Sequence, residues 1–423
     1  MIRNLVSCMV VLVIIGTTPL AQGRTSEPQE GMEAVVKGNT EFAFDLYAKL
    51  SAAAHRDEKD DPDIKEKGGN LFFSPYSIST ALAMTWAGAG GETEKQMAEV
   101  LKFTLSQAQL HKAFGMLEEQ LNQAGEEGKY QLSVANALWG QAGYNFLGEF
   151  LELTEKKYGA RLKEVDFVTQ TEKTRQIINA WVEEKTNDKI KDLIKPGVLG
   201  ALTRLVLTNA IYFKGDWANQ FDKKRTRDET FKPAKDKEVM VPMMYIKERF
   251  KYWADDKLQV LELPYEGEEL SMIILLSNEI DGLAGVEKSL TTEKLDEWTK
   301  GLRKQEVIVY LPKFKMTTEF ELADYLKKMG MPDAFSLPPA DFSGITGQKD
   351  LFISNVIHKA FVAVDEEGTE AAAATAVTMR LTSAPAPPKV FRADHPFIFI
   401  IRDNLSQSIL FMGRVINPEQ KEE

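Results

Sequence analysis

Hydrophobic residues recur along the chain at two spacings, one typical of helices and one typical of strands. In the N-terminal half, apolar positions recur every three or four residues, as they do on the buried face of a helix. This spacing predicts helices over residues 42–50, 78–86, 94–101, 146–157 and 171–186. In the last of these segments, Ile177, Ile178 and Trp181 fall on neighbouring turns.

Strand-like runs, rich in β-branched and aromatic residues, dominate the rest of the chain. They cover residues 206–213, 258–264, 272–276, 307–311, 356–364 and 397–401. Several are apolar over most of their length, which predicts strands covered on both faces. Because strands and helices do not alternate regularly, a doubly wound sheet is disfavoured. The pattern predicts a mixed α+β fold built on large sheets.

The first 23 residues have the pattern of a secretory signal. Arg3 supplies a positive start, residues 5–15 form an apolar run too short to span a bilayer, and cleavage is expected after Gly23. An uncleaved anchor is the alternative. Cys8 resembles a lipid-attachment site, but no apolar run precedes its box, so lipid attachment is disfavoured. We therefore expect residues 24–423 to form a single secreted domain, extracellular or periplasmic.

Composition and charge exclude several function classes. The chain has 423 residues, 43% of them hydrophobic, which is enough for a large core. Its 52 basic and 63 acidic residues give a net charge of -11 without a basic run, which argues against nucleic-acid binding. One cysteine and four scattered histidines favour no metal site and no cofactor. The charged run 55–69 is predicted to be a solvated loop.

The motifs of common enzyme classes are absent from the sequence. There is no GxSxG, P-loop or HExxH motif, and the glycines at 88–91 follow a helix, where a helix-ending turn is expected. A Ser/His/Asp triad assembles in space and leaves no mark on sequence order. However, His358 lies in an apolar strand-like run and His395 precedes Pro396 at the start of a strand. Both are predicted to be structural, and an enzyme is disfavoured.

An unusual segment begins at residues 366–370 (EEGTE). Four alanines follow at 371–374, then a strand-like run, then three prolines at 385, 387 and 388. The prolines forbid a central strand and favour an extended, exposed chain. The segment reads equally well as a flexible Ala/Pro linker or as a chain able to slide between packed strands, because small side chains require no cavity to open.

A series of short motifs now points to one family. In order along the chain, they are 70–78 (NLFFSPYSI), 208–217 (TNAIYFKGDW), 311–315 (LPKFK), 340–345 (ADFSGI), 357–361 (IHKAF), 393–397 (ADHPF) and 411–415 (FMGRV). Over about residues 35–418 the chain closely resembles the serpins. The resemblance implies a single α+β domain with three β-sheets, eight or nine helices and an exposed reactive-centre loop over about residues 366–390.

The resemblance also implies a function, the inhibition of serine endopeptidases by suicide-substrate trapping. The target protease cleaves a bait bond and becomes covalently acylated, and the loop inserts as a central strand of the main sheet and distorts the protease. The native state is then metastable. The resemblance implies a monomer with no cofactor, no nucleic acid and, after signal removal, no membrane.

The hinge of that loop has the composition of the inhibitory type. It comprises Glu367, Gly368, Thr369, Glu370, Ala371, Ala372, Ala373 and Ala374. Counting fifteen residues from Gly368 places the bait at Thr382, with Ser383 across the scissile bond, which suits an elastase-like or subtilisin-like protease. A shorter register makes Arg380 the bait and implies a trypsin-like target. Cysteine-protease inhibition and a non-inhibitory carrier or chaperone are the remaining alternatives.

The resemblance to the serpins also implies roles for residues outside the loop, which match the family's motifs by position. Ser74, Ser77, Asn209 and His358 should form a polar cluster where the main sheet opens, and Trp217 should lie where the hinge enters. Their implied role is gating. The sequence also holds one glycosylation sequon, at 404–406 (NLS), and no basic stripe that would suggest activation by heparin.

Overall fold

The computed structural model describes residues 27–56, 69–126, 130–160, 162–369 and 387–419. These residues form ten α-helices. In chain order they are α1 (Glu27–Arg56), α2 (Pro75–Trp86), α3 (Gly91–Leu101), α4 (Gln107–Glu126), α5 (Gly148–Tyr158), α6 (Thr171–Lys185), α7 (Leu283–Ser289), α8 (Thr292–Gly301), α9 (Ala323–Met329) and α10 (Ser343–Thr346). Two 3₁₀ turns cover Lys223–Arg225 and Pro332–Phe335. All five predicted helices are present.

The strands of the same described ranges run from β1 to β15. They are β1 (Leu71–Phe73), β2 (Gln131–Gln141), β3 (Lys163–Val165), β4 (Leu205–Asp216), β5 (Arg227–Ala234), β6 (Lys237–Ala254), β7 (Leu258–Pro264), β8 (Leu270–Ser277), β9 (Arg303–Pro312), β10 (Phe314–Glu321), β11 (Asn355–Val364), β12 (Gly368–Thr369), β13 (Lys389–Arg392), β14 (Phe397–Asp403) and β15 (Ile409–Val415). The six predicted strands correspond to β4, β7, β8, β9, β11 and β14.

The sheet that concerns function, called the main sheet below although the other sheet has more strands, is six-stranded. Its order is β10-β11-β4-β2-β3, with β12 paired to β4. Strand β4 is antiparallel to β2 and parallel to β11. One face packs on α6, where Ile178 and Val182 cover Val206 and Ala210, and the other face joins the main core. Coverage on both faces explains why β4 is apolar over nearly its whole length, as the sequence predicts.

The remaining strands form one nine-stranded sheet, ordered β1-β15-β14-β8-β7-β6-β9-β13, with β5 paired to β6. Three sheets were expected, and the described residues form two, because β6 spans 18 residues and its C-terminal part pairs with both β7 and β9. The helix count exceeds the expected eight or nine partly because α10 is a four-residue turn. The mixed α+β fold is confirmed.

Every residue of helix α2 is buried. Its start is fixed by Ser74, whose side chain accepts a hydrogen bond from the Ser77 backbone (3.1 Å), and by Pro75 at the first helical position. This N-terminus carries two residues of the predicted polar cluster. No helix in the described ranges combines the length and the hydropathy needed to cross a membrane.

Candidate functional site

The hinge begins where β11 ends and the chain turns back. Asp365 closes this turn: its backbone N–H donates to the carbonyl of Gly368 (2.9 Å), and its carboxylate accepts from the backbone of Glu367 (2.9 Å). Gly368 and Thr369 then pair antiparallel with Asp216 and Gly215 of β4. The first two residues after the turn are therefore already a short strand of the main sheet.

The position of this short strand follows from how β4 and β11 pair. Their register runs from Val206 opposite Asn355 to Tyr212 opposite Phe361. Beyond Tyr212, β4 pairs instead with β12. Strands β4 and β11 are thus joined along a seam that is closed over most of its length and filled by the hinge at one end. We call the paired stretch of β4 and β11 the seam.

Gly368 is required by the close approach of two backbones. A Cβ atom at this position would lie 2.3 Å from the carbonyl oxygen of Gly215 and 2.6 Å from the Cα of Asp216. Both distances are far below a normal contact, and backbone atoms cannot move aside cheaply. A larger residue at 368 would therefore push the hinge away from β4.

Thr369 is buried, with 1% of its surface exposed. Its hydroxyl lies 3.1 Å from the hydroxyl of Tyr265, which follows β7 in the other sheet. An uncharged side chain is needed here, because an ion at this depth without a partner would be strongly destabilising. The sequence did not identify Tyr265, since the two residues are separated by 104 positions.

Trp217 lies against the hinge, where the sequence places it. Its backbone N–H donates to the carbonyl of Glu367 (2.8 Å), and its indole N–H donates to the carbonyl of Asp365 (3.0 Å). The indole ring stacks on Tyr265 with 4.6 Å between ring centroids. Trp217 therefore holds the turn through both its backbone and its indole N–H.

Two ion pairs hold the glutamates of the hinge. Lys313 contacts the buried carboxylate of Glu366 at 2.7 Å, and Thr226 donates to the same carboxylate at 2.7 Å. Burial alone would raise the pKa of Glu366, but the hydrogen bonds from Lys313 and Thr226 outweigh it and hold the pKa below its usual value. Lys223 pairs with Glu367. Neither lysine was predicted, although Lys313 lies inside a recognised motif.

The structure brings the four residues of the polar cluster together under the seam. The backbone N–H of Ser74 donates to Nε2 of His358 (3.1 Å), so Nδ1 carries the proton and donates to the side-chain oxygen of Asn209. The Asn209 amide in turn donates to the hydroxyl of Ser77 (2.6 Å), which donates to Asn136 (2.9 Å). Burial lowers the pKa of His358 to about 3, so this imidazole is neutral.

Asn136 is a fifth member that the sequence analysis missed. It lies on β2 and faces Asn209 across the β2–β4 pair. An asparagine in a strand that is otherwise apolar toward its buried end was the available signal. His395, predicted to be structural, has both ring nitrogens hydrogen-bonded, to Asp394 and to the carbonyl of Ser277.

Several predicted residues lie outside the described residues. They are Glu370, Ala371, Ala372, Ala373, Ala374, Arg380, Thr382 and Ser383, together with the leader at 1–23. The sequon residue Asn404 is described, and its amide donates to the carbonyl of Glu268 (2.8 Å) and to the hydroxyl of Ser271 (2.7 Å). Within the described ranges, no group of three or more His, Cys, Asp or Glu side chains could hold a metal ion.

Comparison with known proteins decides the family. The family model described as "Serpin (serine protease inhibitor)" matches residues 37–418. The chain is a serpin. This serpin is 46% identical to the leukocyte elastase inhibitor of Equus caballus over 395 residues, which cover 92% of this chain and 100% of that protein. It is 44% identical to serpin B6 of Pongo abelii over 393 residues, with the same coverage.

Solved structures agree on the fold. Uncleaved ovalbumin matches with a TM-score of 0.79 and 31% identity, covering 91% of this chain and 100% of ovalbumin. Serpin48 of Tenebrio molitor matches with a TM-score of 0.78 and 36% identity, covering 92% of this chain and 99% of that one. The family is described as one of serine protease inhibitors, and several of the relatives are named leukocyte elastase inhibitor.

The prediction that this serpin is secreted is wrong. Its relatives among the leukocyte elastase inhibitors and serpin B6 are intracellular serpins. The comparisons give no support to a signal peptide either. The error arose because a short apolar run after an early arginine was interpreted as a signal peptide. Local composition carries no other information about cellular location.

Proposed function

We propose that this serpin inhibits elastase-like serine proteases by trapping them as a covalent acyl-enzyme. The observation that carries the proposal is the hinge, where Gly368 and Thr369 already pair with β4 and Thr369 is buried and uncharged. This is the geometry needed for a loop that continues into the sheet. The sequence similarity to proteins named leukocyte elastase inhibitor supports the class of target.

The proposed reaction starts at the bait. The protease serine attacks the carbonyl of Thr382, the bond to Ser383 breaks, and the proton of the attacking hydroxyl passes to the new amino terminus at Ser383. The ester between Thr382 and the protease then has two fates. Water can hydrolyse it, which releases an active protease, or the loop can insert first and carry the protease away while the ester is intact.

Insertion extends β12 along the seam. The parallel pairs between β4 and β11 separate, and residues after Thr369 take the place between them. On the order of ten new ladder hydrogen bonds, each contributing roughly 1 kcal/mol, favour the inserted state. The alanines at 371–374 suit this path because each small side chain enters packed layers without opening a cavity.

We propose that the polar cluster gates this separation. His358 lies on β11 directly opposite Asn209 on β4, and their side chains are hydrogen-bonded across the seam. Separating the strands breaks this bond. All four cluster residues are fully buried, so water cannot replace the broken hydrogen bond. The lost hydrogen bond therefore opposes strand separation until the inserted strand arrives.

The alternative bait, Arg380, would direct the serpin to a trypsin-like protease. The relatives named as elastase inhibitors favour the register with Thr382. A carrier function is the other candidate, since human thyroxine-binding globulin, complexed with thyroxine, matches with a TM-score of 0.80 and 31% identity. The uncharged, buried Thr369 and its pairing with β4 favour inhibition.

The test mixes the serpin with elastase-like, subtilisin-like and trypsin-like serine proteases and with a papain-like cysteine protease. Denaturing gels then show whether a band appears at the summed mass, and mass spectrometry of the released fragment identifies its first residue. We expect a band with the elastase-like enzyme and Ser383 as that residue. Cleavage by every protease without a covalent band would overturn the proposal and favour the carrier function.

A further inference from the structure

The deepest side-chain contact of the hinge is with a residue of the other sheet. Tyr265 follows β7, is fully buried, and its hydroxyl lies 3.1 Å from that of Thr369. Two buried hydroxyls therefore meet at the first position of the strand that insertion would extend. Tyr265 is fully buried, so a protease has no access to it in this structure, and the residue belongs to neither the bait nor the polar cluster.

The ring of Tyr265 is held from both sides, so its hydroxyl has a fixed position. Trp217 stacks on one face at 4.6 Å, and Phe213 packs edge-to-face at 5.0 Å, both measured between ring centroids. The backbone of Tyr265 bridges to that of Trp217 and donates to the carbonyl of Leu270 (3.0 Å). Rigid surroundings of this kind are what a positioning group requires.

We infer that Tyr265 is a positioning residue that holds Thr369 in the first inserted place before the bait is cut. This inference rests on the proposed function. When the acyl-enzyme forms, insertion then needs only to propagate along the seam, because its first pair already exists. Without the Tyr265 hydroxyl, Thr369 would be buried with its hydroxyl unpaired, and the hinge would leave β4 more often.

The expected consequence is a change in the partition between trapping and hydrolysis. A weaker hinge contact slows the start of insertion, while attack on the bait, which is remote from Tyr265 in the sequence, keeps its rate. Losing one such hydrogen bond corresponds to about a five-fold change in rate. The ratio of hydrolysed to trapped serpin should therefore rise about five-fold.

The experiment measures the stoichiometry of inhibition and the rate of bait cleavage for Tyr265→Phe with the protease that gives the covalent band. The matched control is Tyr252→Phe, which removes a hydroxyl hydrogen-bonded to Gln259 (3.0 Å) from a mostly buried tyrosine of β6. We expect the stoichiometry to rise for Tyr265→Phe only, with unchanged bait cleavage in both variants. Thr369→Ser, which keeps a hydroxyl, should behave like the wild type.

A double-mutant cycle separates positioning from general packing. Thr369→Val should reproduce the effect of Tyr265→Phe, and the double variant should be no worse than either single one. Additive effects, or an equal rise in the Tyr252→Phe control, would overturn the inference. If the wild type traps no protease, the proposed function fails, and the same cycle measured by thermal unfolding decides the inference: additivity there also overturns it.

Discussion

Two parts of the path that insertion would follow, its start at the hinge and its middle, are held by different chemistry. At the hinge, charged groups dominate: Lys313 pairs with Glu366 and Lys223 with Glu367, and β12 already separates β4 from β11. Under the seam, the contacts are neutral, fully buried hydrogen bonds around His358 and Asn209. The start of insertion at the hinge and the separation of β4 from β11 therefore depend on different contacts, and mutations can weaken one without the other.

The largest effect is expected at the hinge. Thr369→Arg would bury a guanidinium without a partner, at a cost of several kcal/mol, so insertion should fall behind hydrolysis by about a hundred-fold or more. The bait is still cut, and the serpin becomes a substrate. Denaturing gels should show the cleaved form and no covalent band. Thr369→Ser is the control, and normal trapping by Thr369→Arg would contradict the insertion mechanism.

The next effect is expected under the seam. Asn209→Ala removes the hydrogen bonds to His358 and Ser77 and leaves buried groups unpaired. The free energy of unfolding should therefore fall by about 2–3 kcal/mol. Because the seam loosens, inhibitory activity should also decay faster on incubation.

Asn70→Ala provides the matched control for that variant. Asn70 is also buried, and it is hydrogen-bonded to the backbone at Ile416 and Asn417, away from the seam. It should lower stability without speeding the decay of activity. Equal decay in two variants of equal stability would mean that the cluster has no gating role.

A third effect depends on pH. Burial lowers the pKa of His358 to about 3, whereas an unfolded imidazole titrates near 6.5. Because the unfolded chain binds this proton first, stability is complete above pH 6.5 and is lost progressively as the pH falls toward 3. By pH 5 the loss from this one residue is about 2 kcal/mol.

The wild type alone does not isolate this contribution. Burial lowers the pKa of His111 to about 4, which adds a loss of the same sign, whereas burial and the charge of Glu119 raise the pKa of Glu118 to about 7, which acts in the opposite sense. We therefore compare denaturant midpoints of wild type and His358→Gln at pH 7.5 and pH 5. The wild type should lose more between the two values, and parallel losses would contradict the assignment.

The smallest effect is expected at Asp216, beside Gly368. Burial raises the pKa of this carboxyl, and the neighbouring Glu266, Glu367 and Asp365 raise it further. The charge of Lys214 lowers it, but the net shift is upward. A raised pKa means that stability is lost as pH rises through it, so the ionised form weakens the hinge at neutral pH. Asp216→Asn should raise the free energy of unfolding slightly, by less than about 1 kcal/mol, and Asp236→Asn, an exposed control, should leave it unchanged. A lower free energy of unfolding for Asp216→Asn would contradict this interpretation.

Much of the fold could be predicted because its periodicity is local. The five predicted helices and six predicted strands are long apolar patterns, and all are present. Helix α4 was missed, although Leu110, Phe114, Leu117 and Leu121 repeat at helical spacing and are buried. Strands β5 and β6 were missed for another reason: they are half exposed and rich in charged residues, so their apolar signal is weak.

The candidate site also contains residues that the sequence could place and residues that it could not. Residues inside recognised motifs, such as Trp217 and His358, could be placed before the structure was known, while their gating role stays a prediction. Tyr265 and Lys223 could not, because their importance comes from contacts with the hinge across more than a hundred residues. Secretion was predicted wrongly because the prediction rested on the composition of residues 1–23 alone.

Strand direction gives the seam a further meaning. Across the main sheet β10 and β11 run oppositely, as do β4 and β2, but β11 and β4 run the same way. One strand of opposite direction is therefore missing from an alternating series at that place. The hinge supplies its first two residues in the right direction. The sheet thus specifies the direction of an inserted strand. An extended peptide between β4 and β11 is antiparallel to both neighbours in one orientation only.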